Sequence, residues 1–377
     1  MTALRIGVLS FAHTHAVGYL SALRAMPDVE VIGSDPDGVS TGPATGELRG
    51  RDLAEALGVG YADSYDELFA WGPDAVVVTS ENALHRDLVE RAAAAGVHVL
   101  CEKPLATTWE DGLAIRDAVE RAGVLLMVAF PVRFATAFAK LRATHDAGAL
   151  GQLFSVRGAN NGMLPLGRDW FTDPALSGGG ALADHVVHIA DLLEALTGSA
   201  PRTVTAVTNR VLHAERAGGA RARSDRADDS RAGDSRAGGA RASSDRAIGS
   251  RAGGAETGGL VTITYADGLI AAIDCSWSMP DTSAVWGGLT LDVAGTGGTV
   301  SLDLFGPAAH GIAAATGLPI ELRYGADLDA TMLRTFLQAV RTGVQPQPDV
   351  RVGLRTLSIV LAAQESARTG RTVAISE

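Results

Sequence analysis

Lys103, Asp184 and His188 have the residue types and spacing for acid–base chemistry on a small molecule. Lys103 ends the apolar run Val97-His98-Val99-Leu100-Cys101-Glu102-Lys103 and is followed by Pro104. Asp184 and His188 follow the glycine turn Gly178-Gly179-Gly180 in a stretch patterned as a helix. Side chains at i and i+4 share one helical face. A carbinol carbon releases hydride only as its hydroxyl loses a proton, and imidazole suits that removal near neutral pH. His188 is therefore the expected base. Asp184 is expected to orient the imidazole or bind a substrate hydroxyl. Lys103 is expected to donate to the same oxygen, and its charge should lower the pKa of His188.

The elements that position these residues follow from periodicity. Up to Phe130, apolar runs at 4–10, 29–33, 75–79, 97–101 and 124–130 alternate with helical patterns at 15–26, 53–58, 84–95 and 109–122. Such alternation predicts an α/β fold with a doubly wound parallel sheet. Gly96 and Gly123 stand where helices stop. Beyond it come helices over 134–147 and 182–196 and strands over 151–158, 203–209, 260–265, 269–277, 289–294 and 299–302. Helices over 332–341 and 352–369 close the chain. This second part reads as an α+β domain on a largely antiparallel open sheet, giving domains at 1–130 and 131–377.

The pairing of Glu102-Lys103-Pro104 with Gly179-Gly180-x(3)-Asp184-x(3)-His188, about eighty residues later, resembles the glucose–fructose oxidoreductase and inositol dehydrogenase (Gfo/Idh/MocA) family. The likeness runs from about Ile6 to Gly198 and more weakly through Leu260 to Trp277. It implies a Rossmann first domain, an NAD(P)-dependent dehydrogenase, a sugar, cyclitol or related polyol substrate, and a homodimer or homotetramer. It also implies that Lys103, Asp184 and His188 are catalytic. Asp191, Arg133 and Trp170 then become candidate substrate contacts. Ser80, Asn82, His85, Glu102 and Lys103 become candidate contacts to the nicotinamide end of the cofactor. His185, about 100° from Asp184 on an ideal helix, reads as packing or rim.

A dinucleotide fold approaches pyrophosphate with a glycine-rich turn after its first strand. Here Ser10 and Ala12 replace the first two glycines, and a histidine stands near the third. Ser10, Phe11, Ala12, His13 and His15 are the expected phosphate-side residues, through their amides and the Ser10 hydroxyl. His15 is expected to be neutral or paired with phosphate, because a cation at a helix N-terminus opposes the dipole. Asp35, after the second strand, is expected to accept from the adenosine ribose and so to favour NAD over NADP. A plain turn at Asp35-Pro36-Asp37-Gly38 is the other reading. His13-Thr14-His15 lacks neighbouring cysteine or carboxylate ligands in sequence, so no metal is expected.

The net charge of −11 over 377 residues argues against nucleic acid or an anionic membrane as partner. Two distant cysteines fit a reducing cytoplasm. No leader is evident, and runs such as Val124–Phe130 fall well short of the ~20 residues a bilayer needs. Residues 213–256 stand apart. From Arg216 to Arg251 an arginine recurs every fifth position, each followed by alanine and then mostly by three small or acidic residues. Little there could offset ordering entropy, so a disordered insertion in a hairpin connection is expected. Two alternatives stay open beside the dehydrogenase: an NAD-dependent glycoside-cleaving enzyme and a non-catalytic binding or regulatory protein.

Overall fold

Six short apolar segments, lying side by side and all parallel, make the first sheet of the computed structural model. The structure describes residues 2–40, 48–165, 167–213, 254–283, 286–305, 308–314, 316–317, 319–323 and 325–375. The first half runs β1 (Leu4–Leu9), α1 (His15–Arg24), β2 (Val29–Ser34), α2 (Gly50–Leu57), β3 (Gly60–Tyr61), α3 (Tyr65–Ala70), β4 (Ala75–Val78), α4 (His85–Ala94), β5 (His98–Cys101), α5 (Trp109–Ala122) and β6 (Leu126–Val128). Helix α5 shows why such segments fold locally. Thr108 caps it by accepting from the Asp111 amide, Glu110 and Asp111 complement its dipole, and Gly123 ends it in the left-handed conformation.

The strand order β3-β2-β1-β4-β5-β6 reverses direction between β1 and β4. Such a switch opens a crevice at the carboxyl ends of the strands. Ser10, Ser80 and Glu102-Lys103 all lie at those ends. The expected Rossmann architecture is what the structure shows.

The second half adds α6 (Thr136–Asp146), β7 (Leu153–Met163), α7 (Pro174–Ser177), α8 (Val187–Thr197), β8 (Pro201–Asn209), β9 (Gly258–Tyr265), β10 (Ile270–Met279), β11 (Gly287–Gly295), β12 (Gly298–Asp303), β13 (Ala308–Ile312), β14 (Pro319–Arg323), α9 (Leu328–Thr342), α10 (Val350–Thr369) and β15 (Val373–Ala374). Its main sheet is ordered β12-β11-β7-β10-β9-β8-β15 and is antiparallel except where β7 meets β10. Val204, Val261, Ile263, Ile273 and Leu291 turn inward and pack with Ile189 and Leu193 of α8. The other face mixes small side chains such as Thr262 and Ala272 with exposed Val207, Leu260 and Ile270 and the Arg157–Asp292 pair.

Several features escape the periodicity. Strand β7 runs to Met163 rather than Gly158, because it is held on both sides by β10 and β11. The single helix expected over 182–196 is two pieces, a π-turn at Leu182–Val186 followed by α8. Strands β8 and β9 pair along their length, from Pro201 opposite Tyr265 to Asn209 opposite Gly258. The repeat therefore does connect adjacent antiparallel strands. The expectation of disorder over 213–256 falls mostly outside the described residues.

The chain also crosses back. Met332, Leu333, Phe336 and Leu337 of α9 join Ile6, Val8, Phe11 and Leu20 in one core beside the first sheet. Leu354 and Leu357 of α10 pack against Gly112 of α5, where a Cβ would press into both leucines.

Candidate active site

Strand β5 delivers Lys103 to the cleft, and the π-turn delivers Asp184 to meet it. Lys103 Nζ lies 2.6 Å from Asp184 Oδ1, with only 4% of the lysine exposed. The other carboxylate oxygen accepts the indole N–H of Trp277 at 2.9 Å and stands 3.3 Å from His185 Nε2. Burial alone would raise the pKa of Asp184, but the Lys103 ammonium, His185 and the two hydrogen bonds hold it far below the carboxylate range.

His188 lines the same cleft as Lys103 and Asp184. It does not bond to Asp184. Among the described residues the carboxylate is taken by Lys103, Trp277 and His185, and His188 Nδ1 has no partner. The expectation that Asp184 orients His188 is corrected on this point: the π-turn changes the facing of side chains within it. Burial first, then the Lys103 charge, drives the His188 pKa well below its ordinary value. The imidazole is thus neutral and able to take a proton. Its ring stands edge-on to Phe130, 5.9 Å between centroids.

The same π-turn moves His185 from the rim to the site, where it lines the cleft with Asn160. Asn160 Nδ2 donates to the His185 carbonyl at 3.1 Å, tying β7 to the turn. A cross-chain brace closes the turn's start: the Glu256 carboxylate accepts from the Gly180 and Leu182 amides at 2.8 and 3.1 Å. Gly180 is required there because a Cβ would collide with the Glu256 backbone. Trp277, His185 and Glu256 were not legible as site residues, since each acts through a partner remote in sequence or through the π-turn.

The turn after β1 differs from the expectation of a phosphate cradle. Ser10 does adopt the left-handed conformation of a glycine, with φ +66°. Yet the amides are spent internally: Phe11 N on Asp35 Oδ1 at 3.0 Å, Ala12 N on Ser10 Oγ at 3.2 Å, His13 N on the Thr79 carbonyl at 2.8 Å, and His15 N on His13 Nδ1 at 3.2 Å. The Phe11 side chain is buried against Gly33, where a Cβ would strike its ring. Asp35 is likewise engaged. Arg49 reaches its two oxygens at 2.8 and 3.0 Å, and the Gly50 amide adds a bond at 3.1 Å. Despite burial, this Arg49 pair keeps the Asp35 pKa below its ordinary value. Asp35 here organises the turn rather than standing open to a ribose. Thr14, before α1, lines the cleft between His13 and His15 and makes no capping bond.

Other candidates are structural braces. His85 is fully buried with Nδ1 3.0 Å from the Pro104 carbonyl, and so props the lysine segment rather than touching the cleft. Ser80 donates to the Glu81 carbonyl at 3.0 Å. Asn82 donates to the Ser177 carbonyl at 2.8 Å and leaves Oδ1 buried without a partner. Trp170 is no sugar platform: it is buried, and its indole N–H donates to the Ala12 carbonyl at 3.1 Å, closing the second domain onto the turn. Arg133 and Asp191 are not free for substrate either. They form a buried two-pronged pair, Nη2 to Oδ1 at 2.6 Å and Nε to Oδ2 at 3.0 Å, that pins α8 to the segment after β6.

Glu102 is fully buried beside Lys103. Its Oε1 lies 2.8 Å from His15 Nδ1 and accepts from Tyr19 Oη at 2.7 Å, while Oε2 accepts the Lys103 amide at 3.0 Å. Burial opposes a cation at His15, but the Glu102 carboxylate lifts its pKa above the ordinary value. The partner of His15 in the structure is thus the Glu102 carboxylate, where a phosphate or no charge was expected. A cleft of about 690 Å³ runs past His13, His15, Lys103, Asp184, His185 and His188.

This geometry has counterparts. Residues 44–130 match the oxidoreductase-family model described as an NAD-binding Rossmann fold, and residues 138–301 match the GFO/IDH/MocA C-terminal domain. The chain belongs to the Gfo/Idh/MocA family. Among relatives of this Gfo/Idh/MocA protein, levoglucosan dehydrogenase of Pseudarthrobacter phenanthrenivorans is 35% identical over 133 residues, 33% of each chain. The 1,5-anhydro-D-fructose reductase of Ensifer adhaerens is 34% identical over 44% of this chain and 51% of its own. The match thus spans a third to a half of these relatives' length. D-apiose dehydrogenase of Paraburkholderia graminis is 29% identical over 86% of this chain and 79% of its own. The crystal structure of GenD2 from gentamicin A biosynthesis, in complex with NAD, superposes with a TM-score of 0.77 at 26% identity, covering 100% of this chain and 97% of that one.

Proposed function

We propose that this protein is an NAD-dependent dehydrogenase acting on a secondary hydroxyl of a sugar, cyclitol or related polyol. The observation that carries the reading is a buried ammonium, Lys103, locked to Asp184 beside a neutral, unpartnered His188 in one cleft at the carboxyl edge of the Rossmann sheet. The names of levoglucosan, D-apiose and myo-inositol dehydrogenases among its relatives support the substrate class.

The residues fit a dinucleotide at its nicotinamide end. Lys103 and His188 face the cleft, and Ser10 supplies the tight turn that lets a backbone approach the strand switch point. At the phosphate end Thr14 lines the cleft. Nicotinamide, when bound, accepts the hydride from the carbinol carbon. His188 takes the hydroxyl proton. Lys103 donates to the oxygen as negative charge develops on it. Asp184 keeps Lys103 aimed. Trp277 in turn keeps Asp184 in place.

Two further points extend the reading. The outer face of the second sheet carries Thr205, Thr262, Thr264, Ala272 and Ser301 with Leu260 and Ile270 exposed, a flat surface of small side chains suited to meeting its own copy in a dimer or tetramer. Cys101 and Cys275 are free and buried, which fits a cytoplasmic setting, and among the described residues no helix is long and apolar enough to cross a membrane.

Calorimetry with NAD and NADP, followed by a polyol screen for NADH formation, tests the proposal. Binding of NAD with substrate-dependent NADH formation supports it. Absence of nucleotide binding would leave the internally saturated turn as the explanation and the non-catalytic reading in its place.

A further inference from the structure

In sequence, His13-Thr14-His15 lacks a third ligand. The fold supplies one from 87 positions away. Glu102 brings its carboxylate beside His15 Nδ1, and one ligand atom from each of His13, His15 and Glu102 lies within 4.8 Å of the others. A second observation is independent of that spacing. His13 is 3% exposed, its Nε2 is buried without a partner, and its Nδ1 has only the 3.2 Å contact from the His15 amide. A buried imidazole nitrogen with no protein partner is available to a ligand. Both imidazoles also line the cleft.

We propose that His13, His15 and Glu102 bind one divalent transition metal ion, preferentially Zn²⁺, with a coordination position open to the cleft. Two imidazoles and a carboxylate are the protein ligands of one known class of open zinc site. Nitrogen donors argue against Mg²⁺ and Ca²⁺, which favour all-oxygen cages. The carboxylate is already oriented from outside: Tyr19 Oη donates to Oε1 and the Lys103 amide to Oε2. Outer bonds of this kind fix metal-ligating groups. The 2.8 Å contact between His15 Nδ1 and Glu102 Oε1 already brings two of the three ligands together. The open position would take an oxygen of a hydroxyl- or carboxylate-bearing ligand, on the cleft wall beside Lys103. None of this depends on hydride transfer, and binding is read without turnover.

The test uses full-length protein stripped with chelator and titrated with ZnCl₂ by calorimetry in two buffers of different ionisation enthalpy. Co²⁺ serves as a spectroscopic substitute. One equivalent should bind with about micromolar or better affinity and give a visible Co²⁺ band. His15→Gln and Glu102→Gln should each weaken Zn²⁺ binding on the order of 100-fold or more, since even outer-shell losses cost 10–100-fold. His15 is part-exposed, so His15→Gln carries the test if Glu102→Gln fails to fold by circular dichroism. His185→Gln, which lies outside the set, should bind as wild type. Absence of saturable one-equivalent binding, or unchanged affinity in folded His15→Gln, overturns the proposal. Loss of binding in His185→Gln would place the ion elsewhere and overturn it as well.

Discussion

Trp277 donates its indole N–H to Asp184 Oδ2 at 2.9 Å while Lys103 holds Oδ1 at 2.6 Å, so a strand of the second domain fixes the aim of a lysine from the first. Replacing Trp277 by Phe keeps most of the ring volume and removes the donor. A hydrogen bond to a charged group is worth about 1.5–3 kcal/mol, which predicts a fall in kcat of roughly 10–100-fold. Steady-state kinetics with a located substrate check this. An unchanged kcat would mean that Asp184 needs no help from the indole.

Lys103→Met leaves Asp184 buried without its cation. Breaking one side of such a pair costs about 3–5 kcal/mol of stability, and loss of the oxyanion donor should cost turnover by 10²-fold or more. Urea midpoints and single-turnover rates would separate the two effects. Asp184→Asn should likewise lose activity, because it frees the ammonium from its place.

Activity should depend on pH through His188. Burial and the Lys103 charge lower its pKa from the ordinary 6.5, so the neutral base persists to more acid conditions. The acid limb of kcat/KM for alcohol oxidation is expected below pH 6.5. His188→Asn should lower the rate and abolish that limb. A limb lying above the ordinary histidine value would assign the titration to another group.

Stability should fall on mild acidification. His13, His85, His185 and His188 all have pKa values lowered by burial. The unfolded chain binds protons near pH 6.5 that the folded chain refuses, so unfolding is favoured as pH drops through that value. His98 is lowered by burial as well, whereas His15 and Asp191, the latter pushed up to about 6 by burial, work in the opposite sense, two groups against five. Glu102 and Asp184 are depressed and add their own loss in the acid range. Melting temperature should therefore decline from about pH 7.5 to about pH 5.5. A flat profile would contradict the neutral state assigned to these imidazoles.

Asp35→Ala should destabilise the turn rather than only change cofactor choice. It removes the carboxylate that Arg49 and the Phe11 and Gly50 amides bond to, with a cost of about 3–5 kcal/mol if the pair behaves as buried. Chemical denaturation measures it. A variant of native stability with weakened NAD binding would restore the ribose role.

How far the sequence carries can be seen at particular residues. Helix α5 was legible to the residue, because Thr108, the first-turn acids and Gly123 are local signals. The parallel sheet followed from alternation, while its strand order is known from the structure, and Lys103 and Asp184 followed from their motifs. Strand β3 escaped because two residues carry no period. The π-turn escaped because its register rests on Asn160 and Glu256, which come from other elements. Asp35, Arg133 and Asp191 looked like ligand contacts since sequence shows a charge but not the partner that occupies it. His15 looked isolated because Glu102 approaches only in three dimensions.

The return of α9 to the first sheet matters to anyone wishing to cut this protein in two. A fragment ending near residue 130 would leave Ile6, Val8, Phe11 and Leu20 facing water where Met332 and Phe336 now lie. Such a piece would be sticky and poorly soluble. A usable minimal half must be spliced, joining the opening segment to the stretch from Leu328 to Thr369 by a short linker, so that the last helices travel with the first strands.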